Sequence, residues 1–305
     1  MATLDDLTVA KAIAVAVGLG AILINLEIAM GFASYHVKPL IIGGIVLGGI
    51  IFGAGMAILG YCPGTLAISL GEGSLDALLG IVGGLLGGLV YTLVLPGISG
   101  ILGPNLGALS LQSTVENKAL FFILVFIVGG IFIAAAFILN KYDKSKNFRW
   151  LFAGIILAIL NAVVFSKYGS DRPMGASTTY PYTADLLAGL TQNEYYLKIQ
   201  KPGNWELIFL AGAFLAGFIG SVLTKSFKFK LIHKNWKKYK GTSNAKRAIW
   251  AFAGGFILIF GARMAGGCTS GHVLSGGMQI AFSSLIFAAV VFASLLITGK
   301  LFYKS

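Results

Sequence analysis

Two short polar motifs, each centred on one of the two cysteines, contain the residue types that could do chemistry. The first, the Cys62 motif, reads Gly60-Tyr61-Cys62-Pro63-Gly64-Thr65, and the second, the Cys268 motif, reads Gly266-Gly267-Cys268-Thr269-Ser270-Gly271-His272. Both follow the pattern Phe-Gly-Ala-x-Met-Ala, which begins at Phe52 and at Phe260, and the first copy has two extra residues before its cysteine. Repetition of the motif near each end of an apolar chain predicts one central site built from two halves.

A thiol in such a motif has three uses. It could be a small buried apolar group, it could form a disulfide if the two Cα atoms lie within about 7 Å, or it could be a weak, polarisable donor toward a soft ligand. Because a thiol is a poor donor to oxygen, the third use favours a sulfur- or selenium-bearing anion over sulfate or phosphate. The separation of Cys62 and Cys268 indicates no zinc site, disulfide framework or thioredoxin-type motif.

Three titratable residues lie in or beside apolar runs, where charge is costly. Arg263 interrupts an apolar run five residues before Cys268, and it could attract an anion or pair with Glu27 or with backbone carbonyls. Glu27, in the first apolar run, could be a counter-ion or a proton carrier, or it could lie at a solvated helix end. His272 could donate to an anion or carry a proton, or it could cap helix groups after a break.

The glycines and the proline of the two motifs predict breaks in two helices. Proline removes a backbone donor and glycine permits left-handed torsions; the residues concerned are Gly60, Pro63, Gly64, Gly266, Gly267 and Gly271. A break at membrane depth must be buried in protein or face a water-filled cavity, although a tight hairpin turn at the surface is the alternative. Anions would then bind to backbone N–H groups at half-helix N-termini and to hydroxyls, namely those of Thr65, Thr269, Ser270, Ser177 and Thr178.

The sequence shows no motif of an enzyme. It contains no phosphate-binding loop, no dinucleotide fingerprint, no Ser/His/Asp set and no cluster of histidines and carboxylates. We therefore predict no catalytic residue, no metal site and no cofactor.

The composition predicts an integral membrane protein that is all-α. Of the 305 residues, 57% are hydrophobic and only 11% are charged, and the mean hydropathy is +0.86. Soluble domains carry about 25% charged residues, whereas apolar runs of about 18 residues or more are long enough to cross a bilayer. The 42 glycines suit close helix packing and irregular backbone at membrane depth.

We predict one polytopic transmembrane domain over 1–305, with a first half of about 1–140 and a second half of about 149–305. Eight spans can be placed, at about 9–33, 40–60, 74–95, 119–140, 149–166, 206–224, 248–265 and 280–301. The N-terminus lacks the basic start and cleavage site of a signal peptide, so the first span is expected to stay as a membrane helix.

Two basic loops predict the orientation. The loop 141–149 carries four positive residues and the segment 225–247 carries nine, with no acidic residue between them. Two spans separate these loops, so both can lie on one side, and the positive-inside rule makes that side and both termini cytoplasmic. The net charge of +12 is therefore assigned to orientation rather than to nucleic-acid binding. The spans before the two cysteine motifs then run in opposite directions, as in an inverted-topology repeat.

The segment from Ser166 to Pro202 is too polar for a lipid-facing span and rich in small and hydroxyl-bearing residues. We interpret it as a re-entrant element that dips into the protein from the outer side. An ordinary surface loop is the alternative.

At these motifs the chain resembles the YeeE/YedE family of bacterial sulfur-transport membrane proteins. The resemblance is carried by the Cys62 motif, by the residues 261–272 and by Arg172-Pro173-Met174-Gly175-Ala176-Ser177-Thr178. It implies uptake of thiosulfate, or for some members a role in selenium metabolism, with both cysteines on the substrate path. Members that take up thiosulfate typically carry a further functional cysteine nearer the N-terminus. This chain lacks it, so the resemblance implies a path with two thiols or a related sulfur or selenium substrate.

The sequence and the resemblance together predict an inner-membrane permease for a small sulfur-containing anion, with thiosulfate as the leading substrate. The expected partners are that anion, membrane lipids and a cytoplasmic sulfur-handling protein that consumes the substrate. The alternatives are a transporter of a selenium compound, a membrane thiol oxidoreductase that uses the two cysteines as a redox pair, and a channel for a small solute.

Overall fold

The structure, a computed structural model, describes residues 6–143 and 147–304, and within these ranges it contains helices and no strand. The helices are α1 (Thr8–Ala29), α2 (Ile42–Leu59), α3 (Pro63–Gly71), α4 (Leu75–Leu102), α5 (Leu111–Thr114), α6 (Lys118–Tyr142), α7 (Arg149–Phe165), α8 (Thr179–Leu187), α9 (Glu194–Leu223), α10 (Lys234–Lys240), α11 (Asn244–Met264), a π-helix (Thr269–Gly276) and α12 (Phe282–Lys304).

Seven helical segments of the described chain are long and apolar enough to cross a membrane. This count takes α2 and α3 as one segment, and it leaves out α7, which is a shorter apolar helix. The prediction of an all-α polytopic membrane protein is confirmed. Two predicted spans are shorter than the helices observed, because α4 continues to Leu102 and α9 begins at Glu194. Each contains a proline, Pro96 or Pro202. A proline in a membrane helix is tolerated when neighbouring groups satisfy the freed carbonyl, so neither residue ends its helix.

The two basic segments and both ends of the described chain lie on one side of the molecule, which we call the basic side. The Lys11 ammonium lies 2.7 Å from a carboxylate oxygen of Asp143, which joins the beginning of α1 to the end of α6. The rings of Trp236 and Phe302 lie 6.1 Å apart, which joins α10 to the end of α12. Residues of α1, α10 and α12 also line a single cavity. Two lysines of the loop 141–149 lie outside the described residues, namely Lys144 and Lys146.

The helices that lead into the two cysteine motifs run in opposite directions, as predicted. Gly48 of α2 lies against Gly261 of α11, and Gly55 of α2 lies against Leu258 and Gly254, so the two helices are antiparallel. α2 runs toward the basic side and α11 runs away from it. The break after α2 therefore lies toward the basic side, near the start of α11, and the break after α11 lies toward the opposite side, near the start of α2.

Glycines allow the four central helices, α2, α4, α11 and α12, to pack at backbone distance. A Cβ atom at Gly255 of α11 would lie only 2.8 Å from the Cα atom of Gly80 in α4. Gly49 and Gly53 of α2 accept the side chains and backbone of α12 in the same way. In lipid, where no hydrophobic effect drives helices together, such close contact supplies much of the stability.

The segment that follows α7 enters the protein from the side opposite to the basic side and returns. Ser166 pairs with Ala33 at that side, and further along the backbone N–H of Met174 donates to Ser275 in the interior. α8 then runs back along α4, with Tyr180 against Gly84 and Pro181 against Gly88. The re-entrant prediction is confirmed up to α8, and the alternative of an ordinary surface loop is wrong. The predicted end of this element at Pro202 is also wrong, since α9 already includes that residue.

The close contact between α4 and α11 yields a test by substitution. We expect Gly255→Ala to lower the free energy of unfolding by about 1–3 kcal/mol, because the added methyl group meets backbone atoms that cannot move aside cheaply. Gly212→Ala, in α9, is the matched control, since nothing lies within 4 Å of a Cβ atom there. Thermal unfolding of the two purified variants in detergent measures the difference. An equal midpoint for both would contradict the packing described.

Candidate functional site

The two cysteine motifs adopt the same backbone conformation. Gly60 and Gly266 have φ angles of +87° and +75°, and nothing lies within 4 Å of a Cβ atom at either position. Left-handed torsions rather than lack of space therefore require glycine there. Two residues later, Cys62 and Cys268 have extended torsions and occupy the N-cap positions of α3 and of the π-helix. Pro63 is the first residue of α3, a position where its missing N–H has no effect.

Each thiol lies beside a hydroxyl at the N-terminus of a short helix. The Thr65 hydroxyl accepts the backbone N–H of Cys62 at 2.9 Å and lies 3.3 Å from its Sγ. The Ser270 hydroxyl lies 3.1 Å from the Sγ of Cys268. Both cysteines are free thiols, so the disulfide alternative does not describe this state. Amide dipoles at a helix N-terminus favour negative charge, so both thiols lie where an anion is stabilised.

The Cys62 motif faces a cavity of about 500 Å³. Its lining includes Cys62 and Thr65 from the first break and Thr269 from the second. Toward the basic side the lining is formed by Asp76, His233, Trp236, Arg247 and Tyr303. The prediction that a break faces a cavity is met for this motif, and a simple hairpin turn at the surface does not describe it.

A buried ion pair forms part of the wall of this cavity. The Nε of Arg247 donates to Asp76 at 3.0 Å, and its Nη2 donates to Asp76 and to the carbonyl oxygen of Leu59. The guanidinium lies over the Trp236 ring, and His233 lies 3.2 Å from the same carboxylate. The pair therefore joins the end of α2 to the beginnings of α4 and α11. Sequence reasoning missed it because 171 residues separate its two members.

The hydrogen-bond partners of Arg263, the charged residue predicted at membrane depth, are all neutral. It donates to the hydroxyls of Tyr195 at 2.7 Å, Thr178 at 3.1 Å and Ser177 at 3.3 Å. Glu27 is not among these partners. The structure thus brings three of the predicted site residues together, with the guanidinium buried and no carboxylate bound to it directly.

A carboxylate that sequence reasoning missed organises the re-entrant segment. Glu206 of α9 accepts the backbone N–H groups of Thr178 at 2.6 Å and Thr179 at 3.3 Å, at the start of α8. Arg172 lies 3.9 Å from its other oxygen and stacks over Trp205. The hydroxyls that contact Arg263 are therefore held in place by Glu206. In the sequence, Glu206 could have been noticed only as a single acidic residue in an apolar span.

A lysine also missed from the sequence lies at the Cys268 motif. Lys38, on the connection between α1 and α2, donates from its ammonium to the carbonyl oxygen of Gly266. A Cβ atom at Gly267 or Gly271 would crowd this side chain, so these two glycines make room for it. Burial, followed by the positive charge of Arg263, lowers the pKa of Lys38 to about 8. Within the sequence, Lys38-Pro39 looks like an ordinary connection.

Within the described chain, the side chains of two predicted site residues make no hydrogen bond to a thiol or a cation, although one of them, His272, lies beside Lys38. His272 is fully buried, its ring nitrogens lie 2.9 Å from the carbonyl oxygen of Ala265 and 3.0 Å from the Ser284 hydroxyl, and it stacks on Phe287. This geometry agrees with the alternative in which it caps the break. Glu27 lies near the far end of α1, where one carboxylate oxygen is buried without a hydrogen-bond partner.

No group of three or more histidines, cysteines or carboxylates able to hold a metal exists among the described residues. Gly64, the remaining predicted residue, lies against Ala176 of the re-entrant segment, and the Tyr180 hydroxyl donates to the carbonyl oxygen of Pro63 at 3.0 Å. The re-entrant segment therefore contacts the first break, while its Met174 contacts Ser275 beside the second.

Comparisons with known proteins relate this chain to a transport family and to a transporter. A family model described as sulphur transport matches residues 1–297. The thiosulfate transporter TsuA of Spirochaeta thermophila is 25% identical over 272 residues, which cover 84% of this chain and 76% of that protein.

The unequal exposure of the two thiols predicts an order of chemical modification. Cys62 is half-buried and lines the cavity, whereas Cys268 is 1% exposed. We expect a charged thiol reagent to modify the Cys268→Ser variant, through Cys62, at least about tenfold faster than the Cys62→Ser variant. Mass spectrometry of the labelled protein in detergent measures both rates. Equal rates would contradict the closed surroundings of Cys268.

The buried ion pair predicts a large coupling energy. We expect Arg247→Gln to destabilise the protein by about 3 kcal/mol or more, because it leaves the Asp76 carboxylate buried without its main partner. The double variant with Asp76→Asn removes both charges and should recover part of that loss. Thermal unfolding of the single and double variants completes the cycle, and strictly additive effects would show that the pair is not coupled.

Proposed function

Since the chain belongs to the sulphur transport family, we propose that it is an inner-membrane permease for the uptake of thiosulfate. The observation that supports this best is the pair of thiols at half-helix N-termini, one beside a group of cations and the other in a cavity. The family assignment favours a transporter over a thiol oxidoreductase. The name of the relative from Spirochaeta thermophila supports thiosulfate as the substrate.

The charges around Cys268 suit a divalent anion. Arg263, Arg172 and Lys38 carry three positive charges when protonated, and Glu206 carries one negative charge, which leaves an excess of two positive charges. Thiosulfate carries two negative charges, with hard oxygens at one end and a soft terminal sulfur at the other. The cations and the hydroxyls of Ser177 and Thr178 would receive the oxygens, and the thiol would meet the sulfur.

The two thiols divide the path between the two sides. Cys268 lies nearer the side of the re-entrant segment, and Cys62 lies in the cavity whose wall includes residues of the basic side. The positive-inside rule assigns the basic side and both termini to the cytoplasm. The anion would thus pass Cys268 first, then Thr269 and Cys62, and leave through the cavity past Thr65. A cytoplasmic sulfur-handling protein that consumes the substrate would keep the flow inward.

A selenium-containing anion is the second candidate. The observation that favours it is that the chain has two cysteines and lacks the further cysteine that thiosulfate-uptake members typically carry nearer the N-terminus. The geometry of the site accepts either element.

Growth on thiosulfate as the sole sulfur source tests the proposal. Expression in a bacterium that lacks its own sulfur uptake should restore growth, and Cys62→Ala and Cys268→Ala should each abolish it at equal membrane levels. Arg263→Gln should reduce thiosulfate uptake at least about tenfold, because one buried charge-assisted interaction is lost. Gly212→Ala, far from the site, is the control that should grow normally.

Failure of the well-expressed wild type to restore growth would overturn the thiosulfate assignment. Selenium compounds would then be the next substrates to assay. Restoration that survives both cysteine substitutions would instead show that the thiols do not lie on the path.

A further inference from the structure

We propose that Lys38 is the residue that receives the anion in front of Cys268, and that its ammonium exchanges the Gly266 carbonyl oxygen for the substrate. This inference rests on the proposed function and adds to it a recognition residue and a movement. Lys38 belongs to the connection 30–41, which we call the strap, and it is the strap residue that reaches the Cys268 motif.

Hydrogen bonds fix the strap backbone, and the Lys38 side chain extends from it to the Cys268 motif. The backbone N–H of His36 donates to Gln279 at 2.7 Å, the Ser283 hydroxyl donates to the carbonyl oxygen of Lys38 at 2.9 Å, and the N–H of Leu40 donates to the carbonyl oxygen of Gly107 at 2.8 Å. These bonds hold the backbone on both sides of Lys38. Only the side chain has to move when the ammonium changes partner.

The Lys38 side chain lies between the outer surface and the thiol. Its ammonium donates to the carbonyl oxygen of Gly266 and would lie 3.2 Å from a Cβ atom at Gly271. It therefore lies against the residues on both sides of Cys268 in the chain. Cys268 itself is 1% exposed. An anion that approaches Cys268 from this side therefore meets the Lys38 ammonium first.

The ammonium has a neutral partner where an anion would bind more strongly. Within the described chain no carboxylate lies within 4 Å of the Lys38 Nζ, and its partner is a backbone carbonyl. The bond to the carbonyl has an ionised donor only, whereas a bond to a substrate anion would have ionised groups on both sides and would gain Coulomb attraction in addition. A substrate anion could therefore displace the carbonyl, and it would reach Arg263 and the thiol at the same time.

A second lysine provides a matched control. Lys167 also donates from its ammonium to a carbonyl oxygen of the strap, that of Gly31, at 2.9 Å and on the same side of the molecule. Lys167 is exposed and bonds to the start of the strap, and within the described chain no hydrogen bond or ion pair joins it to either cysteine motif. Lys38 and Lys167 thus differ in position relative to Cys268 and share the bond to a carbonyl.

The experiment measures uptake of radiolabelled thiosulfate by proteoliposomes that contain the full chain. We expect Lys38→Gln to raise KM at least about tenfold, the loss typical of one charge-assisted bond, while Lys38→Arg stays within about threefold of the wild type. Lys167→Gln should leave KM unchanged. KM does not depend on the amount of folded protein, so partial loss of Lys38→Gln during purification does not obscure the result.

The dependence of KM on pH gives a second signature. The ionisable groups that face Lys38 are Arg263 from α11, Cys268 and His272 from the second break, Glu206 from α9 and Arg172 from the re-entrant segment. A lysine is charged below its pKa, so wild-type KM should rise as the pH on this side rises through about 8. Lys38→Arg keeps its charge and should abolish that rise, which assigns the pH dependence to Lys38 rather than to a neighbouring group.

The outcomes separate the two claims. Wild-type proteoliposomes that take up no thiosulfate would overturn the proposed function. Wild-type uptake with a Lys38→Gln KM equal to that of Lys167→Gln would overturn the role of Lys38 and leave the proposed function standing. A raised KM in Lys38→Gln that Lys38→Arg also shows would overturn recognition by charge.

Discussion

The structure depends on satisfying the backbone groups that two broken helices leave free inside the membrane. Lipid offers no hydrogen bonds, so each free carbonyl at a break needs a partner from the protein. Arg247 donates hydrogen bonds to the carbonyl oxygens at the end of α2, and Lys38 donates to that of Gly266. A ring nitrogen of His272 lies at hydrogen-bond distance from the carbonyl oxygen of Ala265, and the Tyr180 hydroxyl donates to that of Pro63. Two of these residues, Arg247 and Lys38, therefore also bring charge into the protein beside the breaks.

The helices before the two breaks run in opposite directions, and the cations at the two breaks differ in whether a carboxylate neutralises them. A cation lies at the C-terminal end of the helix before each break, where the helix dipole favours positive charge. The Arg247 guanidinium contacts the end of α2, and the Lys38 ammonium contacts the end of α11. Arg247 is neutralised by the buried carboxylate of Asp76, whereas no carboxylate of the described chain lies within salt-bridge distance of Lys38. An anion consequently finds uncompensated positive charge near Cys268 and a neutralised pair beside the Cys62 cavity.

The sequence was sufficient for features that are local. The glycine two residues before each cysteine, the opposite directions of α2 and α11, and the re-entrant segment all follow from residue types and loop charges close in the chain. Arg263 was found because it interrupts an apolar run, whereas Lys38 and the carboxylate of Glu206 were missed because their partners are distant in the chain: Lys38 and Gly266 are 228 residues apart. Likewise, no periodicity indicates that Gly267 and Gly271 make room for a lysine, because they look the same as glycines that bend the chain.

Transport requires that an anion be bound strongly enough to enter and weakly enough to leave. Three cations without an acid would hold a divalent anion in the low-dielectric interior, where charge interactions are strong. Glu206 lowers that attraction, since its carboxylate lies at the start of α8 beside Arg172 and close to the hydroxyls that contact Arg263. Beyond Cys268 the path has no comparable excess of charge, because Asp76 already pairs with Arg247. In the proposed transport the carboxylates would therefore matter as much as the cations, because they would keep the anion from binding too strongly to leave.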